Sequence, residues 1–259
     1  MNTSGLENPQ YYAERLRDYA KILQVGKFVN PPNILNDVAA RIESNLLTAR
    51  SLNESYERLV AFVWEESSNR PWEADVLNDA DAMIKKGLPK IMDALALLRS
   101  AVQPQTTCDQ IISLASSQQN KTLRMHLLCY VYLILVEGVY DEVLRFLYVH
   151  HLKLDTTNAE IKDIATRFAH DRVGESLLSG WNPTVRNAIG HATYYFDTEA
   201  EMIRFEDHRA NKVEPLSFAD FVGLVEKVVS VGPAVVVLLM LRVLVPLNFR
   251  EVSRVLGIG

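Results

Sequence analysis

The stretch VVSVGPAVVVLLMLRVLVPL, Val228 to Leu247, is the strongest constraint on how this chain folds. Its charge-free run, Val228 to Leu241, is 14 residues long. A helix needs ~20 to cross a bilayer. Gly232 and Pro233 interrupt the run near its start. A segment this apolar on all sides reads as a helix enclosed by other protein, with a membrane span as the minor alternative. No membrane partner is expected.

The composition agrees with a helical body around such a segment. Of the 259 residues, 48% are hydrophobic and only 8% aromatic, with 11 Gly and 10 Pro. That suits a substantial aliphatic core and argues against disorder. The formal net charge is −5, from 27 basic and 32 acidic residues. Broad, nonspecific nucleic-acid binding rests on a basic surface, so this balance weighs against it while leaving room for a local basic site. Cys108 and Cys129 make neither a disulfide framework nor a zinc site. Both lie among apolar residues and read as small core side chains. The expected compartment is reducing and cytoplasmic. The start, MNTSGLENPQYYAERLRDYA, lacks the pattern of a secretory signal.

Helical periodicity dominates the first half. Tyr12, Leu16, Tyr19 and Leu23 share a face, as do Ile34, Val38, Ile42 and Leu46 behind a proline pair. Asn53 reads as the cap of a third helix. Two further helices are expected over Ala74 to Lys86 and Leu88 to Val102, divided by Gly87 and Pro89. Ala101 to Thr107, with Pro104, reads as a boundary. It separates an N-terminal helical region, residues 1–103, from a second helical domain, residues 104–259. Thr107 then caps a short helix to Ala115. A long helix covers about Thr122 to His150. Thr157 and Glu160 form a capping box for the next. Asn182 and Pro183 supply a cap and a first-turn proline for a short helix. After it, ATYYFD, MIRFED and KVEPLS read as a hairpin or three-stranded meander. Ser217 and Asp220 box the last, apolar helix. The expected fold class is all-α, mainly a helical bundle, with a small β-hairpin or meander after the short helix.

That short helix carries the unusual residues. At ~100° per residue, Val185, Ala188, Ile189 and Ala192 form a face suited to burial. Arg186, Asn187, Gly190 and His191 fall on the other side. Arg is long enough to reach inward across the gap left by Gly190. In a helix interior Gly190 costs about 1 kcal/mol relative to Ala. Two reasons would keep it: close approach of a ligand or backbone, or simply the end of the helix. Such a face suits phosphate-ester chemistry. A guanidinium stabilises charge on phosphoryl oxygens. An imidazole moves protons near neutral pH. An amide orients either partner. A solvated helix face with an ordinary hydrogen-bonded histidine fits the spacing too.

The run VRNAIGHATYYF, followed by EMIRFEDHRANKVEPLSFADFVGLVEKV, resembles the HEPN superfamily (higher eukaryotes and prokaryotes nucleotide-binding). The family signature is Arg, a polar residue, and His after four to six intervening residues. Arg186, Asn187 and His191 fit it. The long upstream helix LLCYVYLILVEGVYDEVLRFLYV fits as well, so the resemblance covers roughly Thr107 to the C-terminus. It implies a helical bundle that dimerises and brings two Arg–His motifs together. It also implies metal-independent cleavage of RNA through the 2′-hydroxyl, with no cofactor, in toxin–antitoxin or antiviral defence settings. His191 would then be the general acid/base, Arg186 the transition-state stabiliser and Asn187 an orienting group. An antitoxin or regulatory protein is an implied partner. One subgroup carries a modifiable Tyr two residues after the His. Here Thr193 stands there and Tyr194 follows. Some members bind nucleotide or protein without catalysis, which is the alternative reading.

Glu137 and Asp141, at i,i+4 on the long helix, read as a polar stripe, a carboxylate pair for a metal, or partners for an arginine such as Arg186. Glu137, Asp141, Gly190 and Tyr194 are the expected substrate-binding or supporting residues. His150 and His151 lack a completing metal motif, and His170, Asp171 and Arg172 read as loop or cap residues after a helix.

Overall fold

A computed structural model describes residues 8–25, 32–68, 71–87, 89–152, 159–171, 174–197 and 199–258. The elements run α1 (Pro9–Val25), α2 (Pro32–Glu43), α3 (Ala49–Ser68), α4 (Pro71–Lys86), α5 (Ile91–Ser117) and α6 (Lys121–Leu135). A π-helical segment (Val136–Tyr140) joins α6 to α7 (Asp141–Leu152). Then come α8 (Ile161–Asp171), α9 (Glu175–Leu178), α10 (Pro183–Gly190), β1 (Tyr194–Asp197), β2 (Met202–Asp207) and β3 (Lys212–Ser217). The chain ends in α11 (Phe218–Leu239), a second π-helical segment (Met240–Leu244) and α12 (Val245–Leu256). The fold is mainly helical with a small antiparallel meander, as expected.

The chain divides into two compact units, Met1–Leu95 with Pro233–Gly259, and Ala96–Gly232. The segment expected as a boundary, Ala101 to Thr107, is helical throughout and lies inside α5, with Pro104 accommodated. The two helices expected on either side of it are one. The residues from Pro233 onward group with the N-terminal unit rather than with the domain expected over 104–259.

In the first unit, α1 buries Tyr12, Leu16, Tyr19 and Leu23, the face read from the sequence. α2 stops at Glu43 because Asn45 turns left-handed (φ 55°). Leu46, expected on the buried face, is therefore outside the helix and exposed. α3 begins earlier than Asn53: Thr48 and Ser51 cap it reciprocally, each hydroxyl accepting from the other's backbone N–H at 3.0 and 3.1 Å. The apolar run does not break at Gly232 and Pro233, which α11 incorporates. Its most apolar window is 83% buried. Arg242, the charge that ends the run, is satisfied where it lies. It donates to both Asp81 oxygens at 2.8 and 3.1 Å and sits 5.5 Å from the Trp64 ring centroid. Burial works to raise the Asp81 carboxyl, but the bonds from Arg242 and Lys85 outweigh it and hold it below the ordinary range.

The second unit is built around large aromatics: Tyr132, Tyr140, Phe168, Phe205 and Phe221 are fully buried. The meander has the order β1-β2-β3, with Tyr194 opposite Phe205 and Ile203 opposite Leu216. β2 alternates strictly, burying Ile203, Phe205 and Asp207. Both hairpins turn by one device. The aspartate ending the first strand (Asp197, Asp207) accepts from two turn N–H groups, and the residue four later (Glu201, Asn211) is left-handed. The Ser217–Asp220 box opens α11 as expected. Of the expected box for α8, Thr157 lies outside the described residues. Glu160 stands just ahead of the helix, its N–H bonded by Asp163.

Two glycines make opposite predictions. A Cβ on Gly180 would lie 2.6 Å from a Val228 methyl and 2.8 Å from the Val228 backbone nitrogen of α11. A Cβ on Gly190 would meet nothing within 4 Å. Gly180→Ala should lower stability by about 1–3 kcal/mol, because backbone must shift. Gly190→Ala should be neutral or stabilise by up to about 1 kcal/mol. Thermal unfolding of the two variants beside the parent measures both; equal effects would contradict this packing.

Candidate functional site

α10 is set by its ends. Asn182 caps it, its side chain accepting from the Val185 N–H at 3.1 Å, with Pro183 in the first turn. The Tyr132 hydroxyl of α6, buried, donates to the Gly180 carbonyl at 3.0 Å and accepts from the Asn182 N–H at 3.1 Å. At the other end, Ala192 is left-handed (φ 55°). The Thr193 N–H returns to the Ala188 carbonyl at 2.8 Å and the Ala192 N–H to Ile189 at 3.1 Å. These two bonds form a Schellman ending, with alanine where glycine is usual. Ala192 was expected on the buried face; it is exposed because the helix has already stopped. Val185, Ala188 and Ile189 are buried as expected.

On the outward side runs a chain of polar contacts. Arg186 donates to Glu137 through Nε and forms an ion pair with the same carboxylate. Its Nη1 donates to the Asn187 side-chain oxygen at 2.9 Å. The Asn187 amide donates to Asp207 at 2.7 Å. Asp207, buried at the end of β2, also accepts from the N–H groups of Arg209 and Ala210, both at 3.1 Å. The Asn187 bond foremost, helped by those turn N–H groups and the charge of nearby His191, holds the Asp207 carboxyl below its ordinary range.

This chain borders a cleft of about 520 Å³ within the second unit. Arg186, Asn187, Glu137 and Asp141 line it, so four of the seven residues singled out from the sequence meet there. Gly190, His191 and Tyr194 are not in its lining. Arg186 does not reach across Gly190; it reaches the other way, to the π-helical segment that carries Glu137. The space over Gly190 is open, so its place at the helix end needs no ligand to explain it. His191 is exposed at the C-cap, close enough to Asp207 for its charge to be felt there. Tyr194 lies elsewhere: its hydroxyl is 3.2 Å from His126 Nδ1 and its ring stacks on Phe205. Burial, with Cys129 beside it, pushes its phenol up to about 12. Within the cleft Asp141 pairs with Arg145 at 2.9 Å, whereas Glu137 pairs with Arg186. Among the described residues no three His, Cys, Asp or Glu side chains group as a metal set.

Sequence reasoning missed Arg145, Lys162, Arg209 and Trp181, which also line the cleft. They come from α7, α8, the β2–β3 turn and the loop before α10, so no local spacing links them. Only Arg209 had a readable signal, since Asp207 marks the turn that presents it. Trp181 stacks on Tyr140 at 6.4 Å and an interplanar angle of 14°. Both cysteines are buried and free, as expected. Burial pushes the Cys108 thiol up to about 11, and Cys129 up as well, so neither is a ready nucleophile. Comparison with family models, curated proteins and solved structures gives no match.

Asp207→Asn should cost about 1–2 kcal/mol at neutral pH, since an amide cannot accept all of the carboxylate's bonds. The folded carboxyl titrates below its unfolded value. Its contribution is therefore full above about pH 4 and fades as acid protonates it in the folded state. Denaturant unfolding at pH 7 and pH 3 should show the gap between parent and variant narrowing in acid. A gap that widens would contradict the assignment.

Proposed function

We propose that this chain is an endoribonuclease of the HEPN type, needing no metal, that cleaves RNA through its 2′-hydroxyl. We place it in the cytoplasm as a homodimeric toxin or phage-defence effector, held in check by an antitoxin or regulatory protein. The observation that carries this is the fixed chain Glu137–Arg186–Asn187–Asp207 along a cleft of nucleotide size, with His191 one helical turn beyond Asn187. Arg145, Lys162 and Arg209 add cationic charge for a phosphate backbone, and Trp181 offers an aromatic face for a base.

The chemistry follows from these groups. His191 takes the 2′-hydroxyl proton, and the 2′-oxygen attacks phosphorus. The bond from phosphorus to the 5′-oxygen breaks, and that oxygen leaves with the proton that His191 gives back. The products are a 2′,3′-cyclic phosphate and a 5′-hydroxyl. Arg186 balances the charge that builds on the phosphoryl oxygens. Glu137 and Arg186 are each partly exposed, at 46% and 36% of the side chain, so exchanging the carboxylate for a phosphate costs little.

A second reading has its own support. His191 stands outside the cleft that Arg186 lines, and Glu137 already neutralises Arg186. That arrangement suits a nucleotide- or protein-binding module without catalysis.

Single-stranded RNA incubated with the protein in EDTA separates the two. Catalysis predicts cyclic-phosphate ends, no cutting of a 2′-deoxy control, and a loss of 10²-fold or more, on the order of general acid–base effects, in His191→Ala. Intact RNA together with nucleotide binding that Arg186→Ala weakens establishes the binding module instead.

A further inference from the structure

The two turns of the meander are built alike and differ in the use of one oxygen. In each, a single aspartate oxygen serves the turn. Asp197 Oδ1 accepts from the N–H groups of Glu199 and Ala200 at 3.2 and 3.0 Å. Asp207 Oδ1 accepts from those of Arg209 and Ala210, both at 3.1 Å. Asparagine offers the same oxygen and forms the same turn. The second carboxylate oxygen is therefore surplus to the hairpin. In Asp197 it faces Arg204 Nε at 3.4 Å. In Asp207, a residue only 5% exposed, it accepts from the Asn187 amide at 2.7 Å. A buried carboxylate is costly unless its oxygens are bonded, so aspartate at 207 needs a reason that the turn does not supply.

Asn187 supplies it. An ionised carboxylate only accepts hydrogen bonds, and a guanidinium only donates them. Asn187 stands between one of each, with Nδ2 on Asp207 and Oδ1 on Arg186 Nη1 at 2.9 Å. This orientation satisfies both neighbours; the flipped amide would satisfy neither. Asp207 decides which end of the amide Arg186 meets. The other edge of the guanidinium, Nε and Nη2, is held by Glu137, whose side chain is 46% exposed. Arg186 therefore has an outer partner open to exchange and an inner partner fixed to a buried anion.

We propose that Asp207 is a positioning residue for the phosphodiester chemistry: through Asn187 it holds Arg186 in place while a phosphate occupies the edge that Glu137 vacates. This rests on the endoribonuclease reading. With Glu137 displaced, the bond from Nη1 to Asn187 still holds the guanidinium, and it lasts only if the amide oxygen faces Arg186. No local spacing in the sequence marks this role, since Asp207 stands 20 residues beyond Asn187 on a different element.

RNA cleavage and thermal unfolding of the full chain test this. Asp207→Asn keeps the turn oxygen and sets a donor against the Asn187 donor. Assayed well below its melting temperature, it should cut single-stranded RNA with kcat lowered about 10-fold, the scale of one hydrogen bond, and KM nearly unchanged. In an Asn187→Ala background the same substitution should lower kcat no further, because Asp207 acts through that amide. Losses that multiply, or Asp207→Asn cutting at the parent rate, would overturn the proposal. Unfolding gives a second readout that needs no RNA. Asn187→Asp alone sets acceptor against acceptor. Combined with Asp207→Asn it restores one donor to one acceptor with the roles exchanged, and should regain about half or more of the melting temperature that the two single changes lose together. No regain overturns the relay even where the parent cuts RNA. A regain in a chain that cuts no RNA upholds the relay and removes the endoribonuclease reading, and the part of Asp207 in the chemistry with it.

Discussion

One hydroxyl fixes the geometry on which the candidate site depends. Tyr132 is buried in α6, and its oxygen brackets the entry to α10, donating to Gly180 and accepting from Asn182. A buried hydroxyl left without partners costs about 1–3 kcal/mol, so these bonds are strongly enforced once α6 and α10 meet. Burial raises the Tyr132 phenol well above its ordinary range, which keeps its proton in place. Gly180 completes the arrangement, because only a residue without a side chain fits against the α11 backbone at Lys227 and Val228. With the start of α10 held this way, Arg186 has little choice of partner. One turn into the helix, it meets the glutamate one turn further along the neighbouring one.

Much of this was legible in the sequence, and the parts that were share a cause. Capping chemistry is local, so Asn182–Pro183 and Ser217–Asp220 mark real helix starts. Strand alternation is local too, and the meander stands where the β-rich tripartite pattern placed it. The failures are of two kinds. Pro104 and the Gly232–Pro233 pair read as breaks, yet long helices run through both, because tertiary packing overrides a propensity cost of a few kcal/mol. Leu46 continued a helical period past a stop that only the backbone shows, the left-handed turn at Asn45. In the site, the Glu137–Arg186 pair was foreseen. The gathering of Arg145, Lys162 and Arg209 was not, since it depends on how three separate elements fold back.

The electrostatics of the cleft are balanced rather than basic. Glu137, Asp141 and Glu160 stand among Arg145, Lys162, Arg186 and Arg209. Each of these carboxylates is bound to a cation: Glu137 to Arg186, Asp141 to Arg145 and Glu160 to Lys162. A net-acidic protein with such a cleft gains no long-range attraction for polyanions. On the proposed reading, recognition there comes from exchange at close range, an incoming phosphate replacing a carboxylate one pair at a time. Arg209, which has no carboxylate among these pairs, is the natural first contact. It is exposed at the tip of a turn that Asp207 holds rigid.

The π-helical turn at Val136–Tyr140 gives this exchange its setting. An inserted residue widens the helix and commonly marks a functional position. Here the widened turn points two ways. On its inner side Val139 presses against Gly232 of α11, where a Cβ would come within 2.6 Å of the Val139 methyl. On its outer side Glu137 faces Arg186. Glycine at 232, in the one stretch where the sequence is otherwise crowded with valine and leucine, is what admits the bulge. Replacing the widened turn by regular α-helix would rotate Glu137 relative to the buried face that anchors it and part it from Arg186. The apolar segment that dominates the sequence and the polar pair that dominates the site are therefore coupled through a single close approach of two helices.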